Sequence, residues 1–357
     1  MTLIIAEAGV NHNGQEDLAI KLIDAAHLAG ADIVKFQTFK AKNLVTTEAK
    51  QADYQIVNTG KVESQFDMLS RLELSFDAHL RLLKHCQQLN IEFLSTAFDL
   101  ESLEFLVSKL GLTRLKIPSG EITNAPLVLA HAQTGCDLIV STGMASLADI
   151  EGVLGVIAYG YLGHVNTEPS VQAFEEAYMS DEGQKLLREK VTILHCTTEY
   201  PAPLKDINLN VMGTLTAAFN LPVGYSDHSE GIVVPIAAVA KGAVLIEKHF
   251  TLDKNMEGPD HKASLDPVEL KAMVDAIRIV DLVQGNGLKG PQMSELKNKT
   301  IARKSLIANG EIKEGDTFTS ETLVVKRPGT GLSPYLYWDV LGKRSSKAYA
   351  DGDLISE

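Results

Sequence analysis

His228 and His249 are the residues of this chain whose type and placement point most directly to chemistry. They lie in VGYSDHSEG (223–231) and LIEKHFTLDKNMEGPDH (245–261), each behind a short apolar run. A histidine at the end of a buried strand is either a packed polar residue or a metal ligand, and two of them can share one divalent ion. Two imidazoles with oxygen ligands and room for water suit Mn²⁺ or Mg²⁺ better than structural zinc, which closes on four N/S ligands.

Other strand-like runs also end in polar residues. These ends supply Glu7 with Asn11 and His12, Lys35 and Gln37, Ser95 and Thr96, Lys116 with Ser119 and Glu121, and Ser141 with Thr142. They continue with His195, Thr197, Thr198 and Tyr200, then Ser226 and Asp227, then Lys248, with Asp260 a little further on. Lysines and hydroxyls that converge suit a substrate bearing a carboxylate and a phosphate. A lysine in an apolar run needs an anion beside it, so Lys35 and Lys116 require either such a substrate or an internal carboxylate such as Glu7 or Glu121.

Eight strand-like runs precede residue 285: 3–9, 32–38, 92–98, 114–120, 137–143, 191–197, 221–227 and 243–250. Amphipathic helical stretches alternate with them, among them 16–30, 76–90 and 267–283. Eight strand-then-helix units predict a (β/α)8 TIM barrel over 1–284, with its active site at the C-terminal ends of the strands. A doubly wound sheet would carry a Gly-rich first turn, which is absent. Residues 40–75 form a long polar segment of the kind that serves as a lid. The insert at 159–190 reads as one or two extra exposed helices. GNGLKGPQMSELKNK marks a linker at 285–298. Short β pieces then make a small β-rich domain over 299–357.

The bulk numbers exclude several classes. With 33 basic and 46 acidic residues the formal net charge is −13, which argues against nucleic acid and anionic membrane as partners. No apolar run is long enough to span a bilayer, and the first residues lack the basic and small-residue features of a signal peptide. Three cysteines without metal-ligand spacing suit a reducing cytoplasm, and Cys196, inside an apolar run, reads as packing.

Seven segments occur in order: AEAGVNHNG, VKFQTFKA, KIPSGEITN, STGMAS, LHCTTEYP, GYSDHSEG and EKHFTLDKNMEGPDH. Together they resemble the bacterial sialic acid synthase family, and VVKRPGTGLSP resembles that family's C-terminal antifreeze-like (SAF) domain. The resemblance implies condensation of phosphoenolpyruvate with an N-acylated mannosamine-type sugar and water. N-acetylmannosamine would give N-acetylneuraminate; 2,4-diacetamido-2,4,6-trideoxymannose would give N,N'-diacetyllegionaminate. N-acetylneuraminate is the first reading and N,N'-diacetyllegionaminate the alternative, and the motifs themselves do not separate the two. The implied catalytic set is Glu7, Lys35, Lys116 and Glu121. Both lysines, with Ser119, Ser141 and Ser226, would hold phosphoenolpyruvate, and Thr198 joins the substrate-binding residues. Gln37, Glu121, Tyr200 and Asp260 would orient the sugar, and His228 and His249 would hold Mn²⁺. Arg327 would reach the N-acyl group from a small domain swapped onto the partner's barrel, which implies a homodimer.

Three rival chemistries fit parts of the same residue set. A Schiff-base aldolase would use Lys35, Lys116 or Lys248. A zinc hydrolase would show an H-x-H pair on the first strand, where this chain has His12 alone. A carbohydrate-binding module without turnover would leave the polar strand ends unexplained.

Overall fold

The computed structural model describes residues 1–163 and 168–356. Eight parallel strands close into a barrel in sequence order: β1 (Leu3–Gly9), β2 (Ile33–Thr38), β3 (Glu92–Ala97), β4 (Arg114–Ile117), β5 (Asp137–Ser141), β6 (Val191–Cys196), β7 (Val223–Asp227) and β8 (Leu245–His249). β8 pairs with β1 to complete the ring. Each strand is followed by at least one helix, as the alternation predicts. β4 stops at Ile117, short of the expected 120, because Pro118 lacks the N–H a ladder needs.

Strand side chains alternate between two environments. Ile5, Ile33, Leu94, Ile139, Leu194 and Leu245 form one apolar cluster inside the barrel. Their neighbours, such as Ile4, Val34, Phe93, Leu138, Ile193 and Ile246, belong to the larger cluster between strands and helices. Full burial of each such side chain stabilises the fold by about 1.5–3 kcal/mol. Two residues further along, on the same inward face, stand Glu7, Lys35, Thr96, Ser141, Cys196 and Glu247. The period of two therefore builds an apolar floor and seats the polar residues directly above it.

The segment 40–75 is not an open loop. It contains helices Ala41–Leu44, Asp53–Thr59 and Gln65–Leu72. The Ser64 hydroxyl caps the last by accepting from the Asp67 amide at 3.1 Å. Its buried Met68 and Leu72 join Val10 and Phe39 in a satellite core. The insert after β5 yields two helices, Val171–Met179 and Asp181–Lys190, each capped by a serine. Residues 164–167 of that insert lie outside the described residues.

The chain divides into two compact units, Met1–Gly285 and Asn286–Glu357. The stretch expected to be a linker differs from that reading. Residues 293–302 form a short 3-10 turn and a helix, Leu296–Ala302, within the second unit. Gln292 and Glu295 cap this segment, since the Gln292 amide donates to Glu295 at 2.8 Å. In the second unit β9 (Ser305–Ala308) pairs antiparallel with β10 (Leu323–Lys326), over a core of Leu306, Ile312, Phe318, Leu323, Tyr349 and Ile355.

Candidate active site

At the C-terminal ends of the strands the polar residues form one connected network. Glu7 and Lys35 are register partners on β1 and β2, and their charged groups meet at 2.8 Å. Gln37 reaches the same carboxylate at 3.5 Å, and Lys35 donates to the Thr96 hydroxyl at 3.3 Å. Lys116 donates to the Ser141 hydroxyl at 2.6 Å. Glu247, on β8, joins the two halves: its carboxylate lies 3.4 Å from Lys35 and 3.8 Å from Lys116, and accepts from Ser226 at 2.9 Å.

The histidines complete this arrangement. The His228 Nδ1–H donates to the Thr197 carbonyl at 2.6 Å, so Nε2 carries the lone pair. That nitrogen faces the Tyr200 hydroxyl at 3.2 Å and Ser226 at 3.4 Å. The His228 and His249 ring centroids are 5.8 Å apart. His249 Nδ1 is buried without a hydrogen-bond partner. Gly9, at a register shift in β1 and with φ of +52°, is what lets the strand end approach so closely. A Cβ there would stand 3.3 Å from the His249 ring and 3.4 Å from the Glu7 carboxylate.

Burial sets the charge states. It pushes Glu7 above the usual carboxylate range, against the pull of Lys35. Burial opposes ionisation of Glu247 as well, but the ammonium groups of Lys116 and Lys35 outweigh it and hold that carboxyl low. Lys35 stays cationic because Glu247 and Glu7 overcome its desolvation. Lys116 is pushed down by burial. Burial lowers His228 to about 4 and His249 well below its ordinary value, where the nearby His228 and Lys35 add to the effect. Both imidazoles are thus neutral near pH 7, the form that binds a metal.

Ser119 accepts the Gly143 amide at 3.0 Å and lies 3.1 Å from Cys196 Sγ. Thr198 packs against Gly143, where a Cβ would stand 2.2 Å from its hydroxyl. A cavity of about 520 Å³ opens there, lined by Thr142, Met144, His195, Cys196 and Thr198 among others. That volume is in the range of small-molecule sites. Glu121 is half-buried and its carboxylate accepts from Asn124 at 2.6 Å, outside the central network. Asp260 is buried and raised to about 6 by that burial. Arg327 lies in the second unit, where its Nε donates to the Ala302 carbonyl at 3.0 Å.

Lys248 does not face the site. It is fully buried on the outward side of β8 and paired with Asp227 at 2.6 Å. Glu247 is the residue that the sequence reading missed. The signal was present, since strand alternation puts it on the same face as His249 two residues later.

Acidic, basic and imidazole groups gathered above a closed apolar floor are the layout of a (β/α)8-barrel enzyme that handles an anionic substrate. The NeuB family profile matches residues 22–289. The chain belongs to the NeuB family and, with it, to the nonulosonic acid synthases. It is 50% identical over 356 residues to an N,N'-diacetyllegionaminic acid synthase of Campylobacter jejuni, covering 100% of this chain and 99% of that one. The corresponding protein of Legionella pneumophila is 44% identical, with coverage of 99% and 92%. Among solved structures, an N-acetylneuraminic acid synthetase from Leptospira borgpetersenii aligns with a TM-score of 0.66 at 32% identity, covering 83% of this chain and 90% of that one.

Proposed function

We propose that this chain condenses phosphoenolpyruvate with 2,4-diacetamido-2,4,6-trideoxymannose and water, giving N,N'-diacetyllegionaminate and phosphate. This sugar, the alternative of the sequence reading, is favoured over N-acetylmannosamine by the 50% identity, over the full length, to the C. jejuni N,N'-diacetyllegionaminic acid synthase.

In the reaction, C3 of phosphoenolpyruvate bonds to the sugar aldehyde carbon and positive charge develops at C2. Water adds to C2, and the C–O bond to phosphate breaks. Lys35 and Lys116 supply fixed cations for the carboxylate and phosphate. Ser141 and Ser226, already oriented by Lys116 and Glu247, add hydroxyl contacts. Glu247, held as a carboxylate, supplies the negative charge that stabilises the positive charge developing at C2. Glu7, raised by burial yet bonded to Lys35, is placed to take up or return the proton of the attacking water. Thr198 lines the cavity and Ser119 stands behind it against Cys196 and Gly143, and Gln37, Glu121, Tyr200 and Asp260 present the polar groups for the sugar. The groups that meet phosphoenolpyruvate are thus held in place before it binds, by the bonds among Lys35, Glu7, Lys116, Ser141, Ser226 and Glu247.

His228 and His249 fit a divalent ion, Mn²⁺ or Mg²⁺. One has its ring turned by a backbone carbonyl, and the other has a buried nitrogen lacking a partner. Among the described residues no cluster of three or more His, Cys, Asp or Glu is arranged to hold a metal, so water and substrate would complete the coordination. The ion would supply Lewis-acid polarisation of the open-chain aldehyde. A Schiff base at Lys35 or Lys248 is disfavoured, because Lys35 is held cationic between two carboxylates and Lys248 is buried against Asp227, which leaves Lys116 as the lysine that a trapping experiment tests.

The same proposal includes a homodimer in which the second unit, an SAF-type domain, brings Arg327 to the sugar of the partner's barrel. It also includes a cytoplasmic place of action. No described helix is long and apolar enough to cross a membrane, and all three cysteines are free. The deciding experiment is phosphate release from phosphoenolpyruvate and Mn²⁺ with each sugar in parallel. Release with the diacetamido sugar, lost with chelator and in His228→Ala, is the expected result. Release with N-acetylmannosamine alone would reassign the product to N-acetylneuraminate. A borohydride-trapped pyruvate adduct would overturn the mechanism.

A further inference from the structure

We infer that the buried Asp227–Lys248 ion pair is a positioning device for His228 and His249, fixing where the two imidazoles stand and so how tightly they hold a divalent ion. The inference rests on the metal-site reading above.

Asp227 and Lys248 are register partners on β7 and β8, one residue before His228 and His249 respectively. Strand alternation turns them outward while Ser226, Glu247 and His249 face the site. Their charged groups meet at 2.6 Å with both side chains wholly buried. The pair also grips the residue beyond His228. Asp227 Oδ1 accepts from the Ser229 amide at 3.0 Å, from the Ser229 hydroxyl at 2.7 Å and from the Tyr225 hydroxyl at 3.3 Å. The Lys248 ammonium donates to the Ser229 carbonyl. His228 is therefore held from both sides along the chain, and the same lysine is covalently next to His249.

Stability alone gives a weak account of such a pair, since apolar residues of equal volume often serve a core as well or better. Apolar residues could not hold the amide and carbonyl of Ser229 together, and that grip adds to the bond from the Ala202 amide to the His228 carbonyl, at 2.8 Å, in setting the His228 backbone. The bond from His228 to Thr197 fixes only the rotation of the ring. Partners one step behind metal-binding histidines commonly change affinity about 10–100-fold when lost.

The test is the double variant D227N/K248M in the full-length protein. It removes both charges together, and Asn keeps an acceptor for the Ser229 amide. Mn²⁺ dissociation constants, read from the EPR signal of free Mn²⁺, and the visible absorption of the Co²⁺-loaded protein are compared with wild type. D227E, which retains the charge pair but displaces it by one methylene, provides a second variant should the first not fold. The expected result is a Mn²⁺ affinity weakened about tenfold or more with a shifted Co²⁺ spectrum. The KM for phosphoenolpyruvate at saturating Mn²⁺ stays unchanged. Wild-type affinity and spectrum in a folded variant would overturn the positioning role alone. Failure of the wild-type protein to take up either ion would overturn it together with the metal-site reading.

Discussion

Glu247 touches both lysines of the site and Ser226, so its removal tests the electrostatic reading most directly. Glu247→Gln keeps the shape and deletes the charge. The expected outcome is a fall in kcat of about 10²–10³-fold with a smaller change in KM, measured by phosphate release. A kcat within threefold of wild type would show that the carboxylate merely balances the lysines. Asp260 gives a pH-dependent prediction. Burial raises it from its ordinary 3.8 to about 6. Between those values the folded protein retains a proton that the unfolded chain has released. Its contribution to stability is therefore full below about pH 4 and lost as pH rises through about 6. Asp260→Asn removes that loss. Without ligands, the variant is expected to be more stable than wild type at pH 8, by up to about 3 kcal/mol, and level with it at pH 4. An equal difference at both pH values, by denaturant melts, would sink this assignment. The buried histidines, which titrate oppositely, are common to both proteins and cancel in the comparison.

At the scale of elements, the segment 40–75 and the loop after β8 clasp one another. Asn58 donates to the Pro259 carbonyl at 2.7 Å, and Lys61 pairs with Glu257. Pro259 directly precedes Asp260, so the helix Asp53–Thr59 helps to place a carboxyl that is proposed to orient the sugar. Asn58→Ala is expected to raise the KM for the sugar several-fold and leave that for phosphoenolpyruvate alone. Equal change in both would mean that the clasp supports the whole site. The barrel floor is the other element-scale determinant. Leu94→Ala, inside the apolar cluster, is expected to cost about 2–5 kcal/mol in chemical denaturation, because the surrounding strands cannot collapse into the space. A loss below 1 kcal/mol would show that the floor repacks.

At the scale of the whole molecule, the two units have separate cores, and Arg327 belongs to the smaller. If that unit completes the partner's site, Arg327→Ala raises the sugar KM at least tenfold while the phosphoenolpyruvate KM holds. Sedimentation is then expected to give a dimer for variant and wild type alike. A fully active monomer would refute the swapped arrangement.

The sequence by itself determined the barrel, because each strand's period-two pattern specifies both its buried faces and each amphipathic stretch specifies a covering helix. The same pattern made most of the site legible: Glu7, Lys35, Lys116, Ser141, Ser226, His228 and His249 were readable as strand-end residues. Glu247 was hidden by its neighbours, since Lys248 and His249 drew the reading although only one of them shares its face. The three short helices within 40–75 were also hidden, because Met68 and Leu72 gain their burial from Val10 and Phe39, far away in the chain. Tertiary structure alone decided which lysine is paired with which carboxylate. Lys35 and Glu7 meet across β1 and β2, Lys116 and Glu247 meet across the barrel, and Lys248 turns away to Asp227. Local sequence sets which face a side chain takes. Charge state and partner depend on distances between strands remote in the chain, and these exist only once the barrel has closed.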